Sequence, residues 1–260
     1  MKVWNSEFVY NYKNAYSFGY CLYAQAEEED HLEDLYARGY LPYSNASNVQ
    51  NVFYMCRSLR VKLDGFCLSS ENRRIYKQFD GKFIVERCSV SLLREDLDVQ
   101  NLFLDYFKKI HGPSIMPKTR YLHILDHIAA RDITLYYENT GKPVACVLHG
   151  GGLRSGLEES LLDHYWFSTY CVDLHKRNMG VWLMIDSVVR AQTEGREYMY
   201  LGTAYGNGGK YKTNFNNLEW WEGHGWCYDS KARRLRELIK DDSDKEVMHT
   251  SRWQEQMVGF

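Results

Sequence analysis

From Asp132 the chain settles into a run of elements that admits few folds. ITLYYENTGKPVACVLHG reads as two strands joined at Asn139-Thr140-Gly141-Lys142, a hairpin signal. A Gly/Ser loop at 150–156 leads to HYWFSTYCVDL, a strongly β-prone run. Between Asn178 and Glu194 the apolar residues fall at helical spacing, with Val181, Ile185 and Val188-Val189 on one stripe. Gly195 ends that helix, and EYMYLG (197–202) has the character of a buried strand. Short strands near LEWW and GWCYD and a basic helix at 230–240 complete the chain. The order is three strands, a helix, a strand, a short helical turn and two strands.

That order is the second half of an N-acetyltransferase-like fold, in which a donor binds between two splayed central strands. The fold class expected is α+β, a mixed sheet flanked by helices and preceded by a smaller α/β half. The first 25 residues are aromatic and read as irregular. Glu27-Glu28-Glu29-Asp30 opens a helix, with acids in the favourable first turn, and Gly39 closes it. NVFYMCR and SLRVKLDGF form a strand pair, Ser69 and Ser70 cap a short helix, and KFIVERCSV (82–90) is a further strand. Helices follow at about 95–110 and 118–130, separated by the breaker HGPSIMP. Two regions are expected, 1–113 and 114–260.

Composition removes several function classes. With 45% hydrophobic and 25% charged residues the chain is an ordinary globular one, and its net charge of −2 supplies no global basic field. No apolar run reaches membrane-spanning length, and the N-terminus lacks a signal-peptide pattern. The seven cysteines lack any C-x-x-C pair and mostly sit in apolar runs, as reduced thiols of a cytoplasmic protein do. The 21 tyrosines fill sheet faces or stack bases and sugars.

YLGTAYGNGGKYKTNF (200–215) is not a nucleotide-triphosphate loop, because Gly209-Lys210 is followed by Tyr211 and Ala204 holds the earlier glycine position. An acyl-coenzyme A enzyme needs small residues where pyrophosphate meets a helix start. Arg177-Asn178-Met179-Gly180-Val181-Trp182 matches that pattern at its first two anchors but places an indole at the last.

The wider run YLGTAYGNGGKYKTNFNNLEWWEGHGW resembles the arginyl-tRNA–protein transferase family, through Tyr200, Leu201, Gly202, Lys210, Tyr211, Lys212, Phe215, Glu219 and Trp226. RVKLDGFCLSSENRRIYK is similar to a second family segment through Arg60, Phe66, Ser69, Arg73 and Arg74. Tyr106 with His111-Gly112, and LEDLYARGYLPYS, give two further matches in order. The family's cysteine cluster survives only as Cys21 and Cys56, so no metal and no other cofactor is expected. The resemblance implies an enzyme that moves an amino acid, arginine first, from aminoacyl-tRNA to an amine acceptor such as a protein or peptide N-terminus. Its partners would be aminoacyl-tRNA and that acceptor, with no membrane. An acyl-coenzyme A acetyltransferase and a non-catalytic tRNA- or protein-binding homologue are the alternatives.

Amide formation from an activated ester needs positioning, oxyanion stabilisation and one proton acceptor. His111, His164, Asp173 and Glu219 are candidates for the acceptor, the two acids also for a cationic aminoacyl side chain. Lys210 and Lys212 would hold phosphates near the acceptor end, side by side on an extended segment. Tyr200, Tyr205 and Tyr211 would stack the terminal base or line the aminoacyl pocket. Gly202 would let a ligand approach the strand end. Arg73 and Arg74 grip an anion or pair with Glu71 or Asp80. Lys231, Arg233, Arg234, Arg236 and Lys240 form a basic face, solvated or against a tRNA backbone.

Overall fold

A computed structural model describes residues 1–7, 20–27, 30–45, 49–138, 141–151, 160–174 and 177–244. In chain order, β1 (Lys2–Glu7), β2 (Tyr20–Gln25), α1 (Leu32–Ala37), β3 (Tyr40–Pro42) and β4 (Val52–Met55) come first. Their strands make an antiparallel sheet in the order β1-β2-β4-β3. The expectation of an irregular N-terminus is therefore corrected. Lys2 pairs with Gln25 and the register runs through to Glu7 with Tyr20, so each strand's partner lies within the same segment. Aromatic, β-prone residues there pair across a link whose middle, 8–19, lies outside the described residues.

The second sheet is built from β5 (Ser58–Lys62), β6 (Ile84–Ser89), β7 (Ala130–Tyr137), β8 (Pro143–Gly150), β9 (Leu162–Tyr170), β10 (Tyr198–Thr203), β11 (Leu218–Trp221) and β12 (Trp226–Tyr228). Its order is β12-β11-β5-β10-β9-β8-β7-β6, with β9 and β10 parallel and the other pairs antiparallel. This is the mixed sheet of the expected α+β class, and strands from both sides of residue 113 share it. The hairpin signal at 139–142 and the loop at 150–156 fall partly outside the described residues, but β7 and β8 pair as expected.

The helices are α2 (Ser70–Phe79), α3 (Leu97–Ile110), α4 (Lys118–Leu125), α5 (Met179–Thr193) and α6 (Arg233–Asp244). Ser69 accepts from the Asn72 amide at the start of α2, and Asp96 accepts from the Asp98 and Val99 amides at the start of α3. Val99, Phe103 and Phe107, four apart, bury α3 on one face of the large sheet. α5 and α2 pack together on the other face, where Leu183, Ile185 and Val188 are fully buried. Strand alternation divides β8 between these cores, with Val147 under α5 and Cys146 and Leu148 under α3.

α4 stops at Leu125 rather than 130 because His127 turns inward. Its Nε2 lies 3.1 Å from the Val52 carbonyl, and its Nδ1 accepts from the Ala129 amide at 3.1 Å. Those bonds tie the turn before β7 to the small sheet. Tyr36 of α1 and Phe53 of β4 pack with Leu162 and Tyr200 of the large sheet.

Candidate functional site

β9 and β10 pair only at Leu162–Tyr198, Asp163–Met199 and His164–Tyr200. Beyond that point β9 continues beside β8 and β10 beside β5, so the sheet forks between its parallel strands. At the fork Lys212 donates to the Leu201 and Thr203 carbonyls, each at 2.7 Å. Its ammonium occupies carbonyls of β10 past the last pairing with β9. Burial lowers the Lys212 pKa to about 8. Gly202, between the two carbonyls, has φ +76° at a bulge in the β10–β5 ladder, and a Cβ there would stand 3.5 Å from the ammonium. The backbone conformation under Lys212 by itself calls for glycine at this position.

Residues Asn207–Asn214 form a 3-10 helix, not an extended segment. With three residues per turn, positions two apart point roughly 120° apart. Lys210 is exposed while the Lys212 ammonium is turned inward, so the expected side-by-side phosphate clamp is replaced by one outward lysine.

Tyrosines line the fork. The Tyr165 hydroxyl donates to the Gly180 carbonyl at 3.3 Å, and the Tyr170 ring approaches within 3.5 Å of a Cβ built on Gly180. Tyr106 of α3 stacks obliquely on Tyr170 with centroids 5.0 Å apart. Burial and the neighbouring phenols of Tyr170 and Tyr211 raise the Tyr106 pKa, and burial pushes Tyr211 up to about 12. These hydroxyls are neutral donors at physiological pH. A bulge in β9 between Tyr165 and Phe167 brings Tyr165 and Tyr170 to the same face despite their odd separation.

Beside the fork lies an open cleft of about 730 Å³ between the 3-10 helix and α6, with Lys210, Tyr211, Arg236 and Lys240 in its walls. Arg236 is fixed there by the Thr213 hydroxyl at 2.9 Å and the Thr213 carbonyl at 3.1 Å. Asp242, buried, anchors the preceding loop. It pairs with Arg57 at 2.6 Å and accepts from the Gly206 amide at 3.3 Å. Tyr205 belongs to this anchor. Its hydroxyl accepts from the Arg57 amide at 2.7 Å and its ring lies 4.8 Å under the Arg57 guanidinium, so it braces the loop.

The remaining expected residues disperse. Tyr200 is 1% exposed, edge-on to Tyr36 and Trp226, and its hydroxyl accepts from Arg60 at 3.3 Å, which places it in the core. Glu219 pairs with the same Arg60 at 2.6 Å, and the guanidinium lies 4.0 Å from both the Tyr198 and Trp226 rings. Arg74 takes its Glu71 pairing at 2.7 Å on the helix surface, and Arg73 donates to the Leu68 carbonyl at 3.2 Å. Neither arginine reaches the fork. Asp173, in the exposed turn after β9, pairs with Lys109 at 2.5 Å. His111 caps α3 against Phe107 and Tyr106, and that burial lowers its pKa. His111 and Asp173 thus stand near the tyrosine end of the fork, while Glu219 sits in a separate cluster.

Trp182 points into the core against Phe79, Phe83 and Tyr136, with centroids 5.2–5.4 Å away. Tyr170, not the expected indole, covers Gly180 at the start of α5. Among the described residues no group of three His, Cys, Asp or Glu side chains is placed to hold a metal ion. No helix among them is long and apolar enough to cross a membrane.

No protein-family model matches the chain. It is similar to an aspartate/glutamate leucyltransferase of Sphingomonas elodea, 24% identical over 181 residues that cover 66% of each chain. A protein of the same name from Caulobacter vibrioides is 29% identical over 190 residues, 69% of this chain and 64% of that one. The chain thus spans 64–66% of the length of these curated relatives. Among solved structures, the C-terminal domain of a putative lysylphosphatidylglycerol synthetase from Agrobacterium fabrum aligns at TM-score 0.42, 16% identical, over 57% of this chain and 46% of that one. FemX aligns at 0.42, 9% identical, over 66% and 59%. The strand order described above, rather than these partial overlaps, defines the fold.

Proposed function

We propose that this chain transfers an aminoacyl group from aminoacyl-tRNA to an amine, forming an amide. One observation carries the reading: a basic cleft with Lys210, Arg236 and Lys240 opens beside a tyrosine-lined fork between parallel strands. The cleft suits phosphates of an RNA acceptor end, and the fork suits the ester it carries. The name leucyltransferase borne by the curated relatives supports the same class of reaction. The amine lone pair attacks the ester carbonyl, the C–O bond to the ribose breaks, the amine gives up a proton and the ribose oxygen leaves as a hydroxyl. An α-amine with pKa near 8 is partly neutral at pH 7, so the protein supplies chiefly position and donors to the developing oxyanion. The neutral phenols of Tyr106 and Tyr211 are such donors. His111 is the proton acceptor this reading favours, because its lowered pKa leaves the ring neutral beside Tyr106.

The resemblance to arginyl transferases implies an arginyl donor, while the relatives' names carry leucine. Glu219 and Asp173, the acids considered for a cationic side chain, are matched by Arg60 and Lys109. Aromatic walls and matched acids favour an apolar donor. Incubating the purified chain with tRNA pools, each charged with one labelled amino acid, and with peptides of differing N-terminal residue tests this. Label from leucyl-tRNA or another apolar aminoacyl-tRNA should move to peptide. Transfer of arginine alone would reverse the donor assignment, and no transfer from any pool would end the enzymatic reading.

A further inference from the structure

A second cleft of about 370 Å³ lies on the other side of Thr213, Asn214 and Arg236, and these three residues also wall the first. Ser70 at the first turn of α2 and Lys231 line its far side. The charges around the two clefts are unevenly matched. Lys210, Lys231 and Lys240 are exposed and form no ion pair among the described residues. Of the facing acids, Glu71 is paired with Arg74, and both Asp229 carboxylate oxygens accept backbone amides at the start of α6, from Lys231, Arg233 and Arg234. Glu237 faces Lys210, Arg236 and Lys240 in the first cleft, and in the second Lys231 and Arg236 face carboxylates already held by Arg74 and by the amides of α6. A chain of net charge −2 thus concentrates four cations along one continuous wall.

A small anion would occupy one cleft. A polyanion passes from one to the other over the guanidinium that both share. Resting on the tRNA reading above, we propose that the two clefts form one track for a polynucleotide backbone, with Lys210 and Lys240 on consecutive phosphates in the first cleft. Lys231 and the Ser70 and Glu71 amides, the first-turn amides of α2 that Ser69 does not cap, take a phosphate farther along the same strand, and Arg236 stands at the crossing. Backbone amides at a helix start and lysines on exposed loops are ordinary phosphate ligands, and they read charge without reading sequence.

Binding of unacylated total tRNA, measured by fluorescence anisotropy across salt concentrations, tests the track against the first cleft alone. Removing one phosphate ligand lowers the slope of log affinity against log salt by about 0.7–0.9. Lys231→Ala should lower it by one such step, the Lys210→Ala, Lys240→Ala pair by two, and the triple variant by three. Melting curves of all three should match the unsubstituted chain, since these side chains are exposed. A Lys231→Ala slope equal to the original, with the pair still reduced, would overturn the track and leave the first cleft as the RNA site. Slopes unchanged in every variant would remove both.

Discussion

At Lys212 the ammonium is 2.7 Å from two main-chain carbonyls, while two residues earlier Lys210 stands exposed in a cleft wall. Sequence spacing made the two lysines look equivalent, and only the 3-10 turn separates them. Lys212→Met leaves the Leu201 and Thr203 carbonyls without this donor, each at a cost of about 1–3 kcal/mol. A fall in melting temperature of several degrees is expected for a domain of this size. Lys210→Ala should leave melting unchanged and weaken tRNA binding. Melting curves that coincide for the two variants would contradict the separation of roles. Tyr200, Tyr205 and Glu219 teach the same lesson. A residue type suited to binding cannot announce from sequence that its partner is Arg60 or Arg57, which lie 140 to 159 positions away.

Among the elements, the β-β-β-α-β order from β7 to β10 was legible because long periodic runs and a clean helix stop report local structure directly. The insertion of β5 between β10 and β11 was not, since strand neighbours far apart in sequence leave no local period. The β9 bulge also hid the tyrosine face, because strict alternation assigns Tyr165 and Tyr170 to opposite sides. Two histidines join the small sheet to the large one. His127 links the turn after α4 to β4, and His164 of β9 meets the Tyr36 hydroxyl of α1 at 3.2 Å. Burial lowers their pKa to about 4 and about 3, respectively. The unfolded rings take protons near pH 6.5 and the folded ones do not, so stability is full above pH 6.5 and falls as pH drops toward 4. At pH 5 the loss is on the order of 2 kcal/mol for each ring. Urea unfolding at pH 7 and pH 5 should show that decrease, and His127→Gln should remove about half of it. Equal stability at both pH values would mean that the rings do not stay neutral in the fold.

For the molecule as a whole, a weak net charge concealed a local basic wall, which the basic helix at 230–240 suggested and the packing of α6 on the 3-10 helix completes. The fold places that wall beside the fork, so the RNA contacts and the ester chemistry proposed above would fall next to each other where the two central strands of the large sheet part. The most direct measurement of this coupling is single-turnover transfer of a labelled amino acid from saturating and from limiting aminoacyl-tRNA to an acceptor peptide. It compares the unsubstituted chain with the Lys210→Ala, Lys240→Ala variant. If the cleft holds the tRNA, the variant loses roughly ten-fold or more at limiting tRNA, as expected when two charge-assisted bonds disappear, and regains most of its rate at saturation. Equal rates at limiting tRNA in a folded variant would contradict the account.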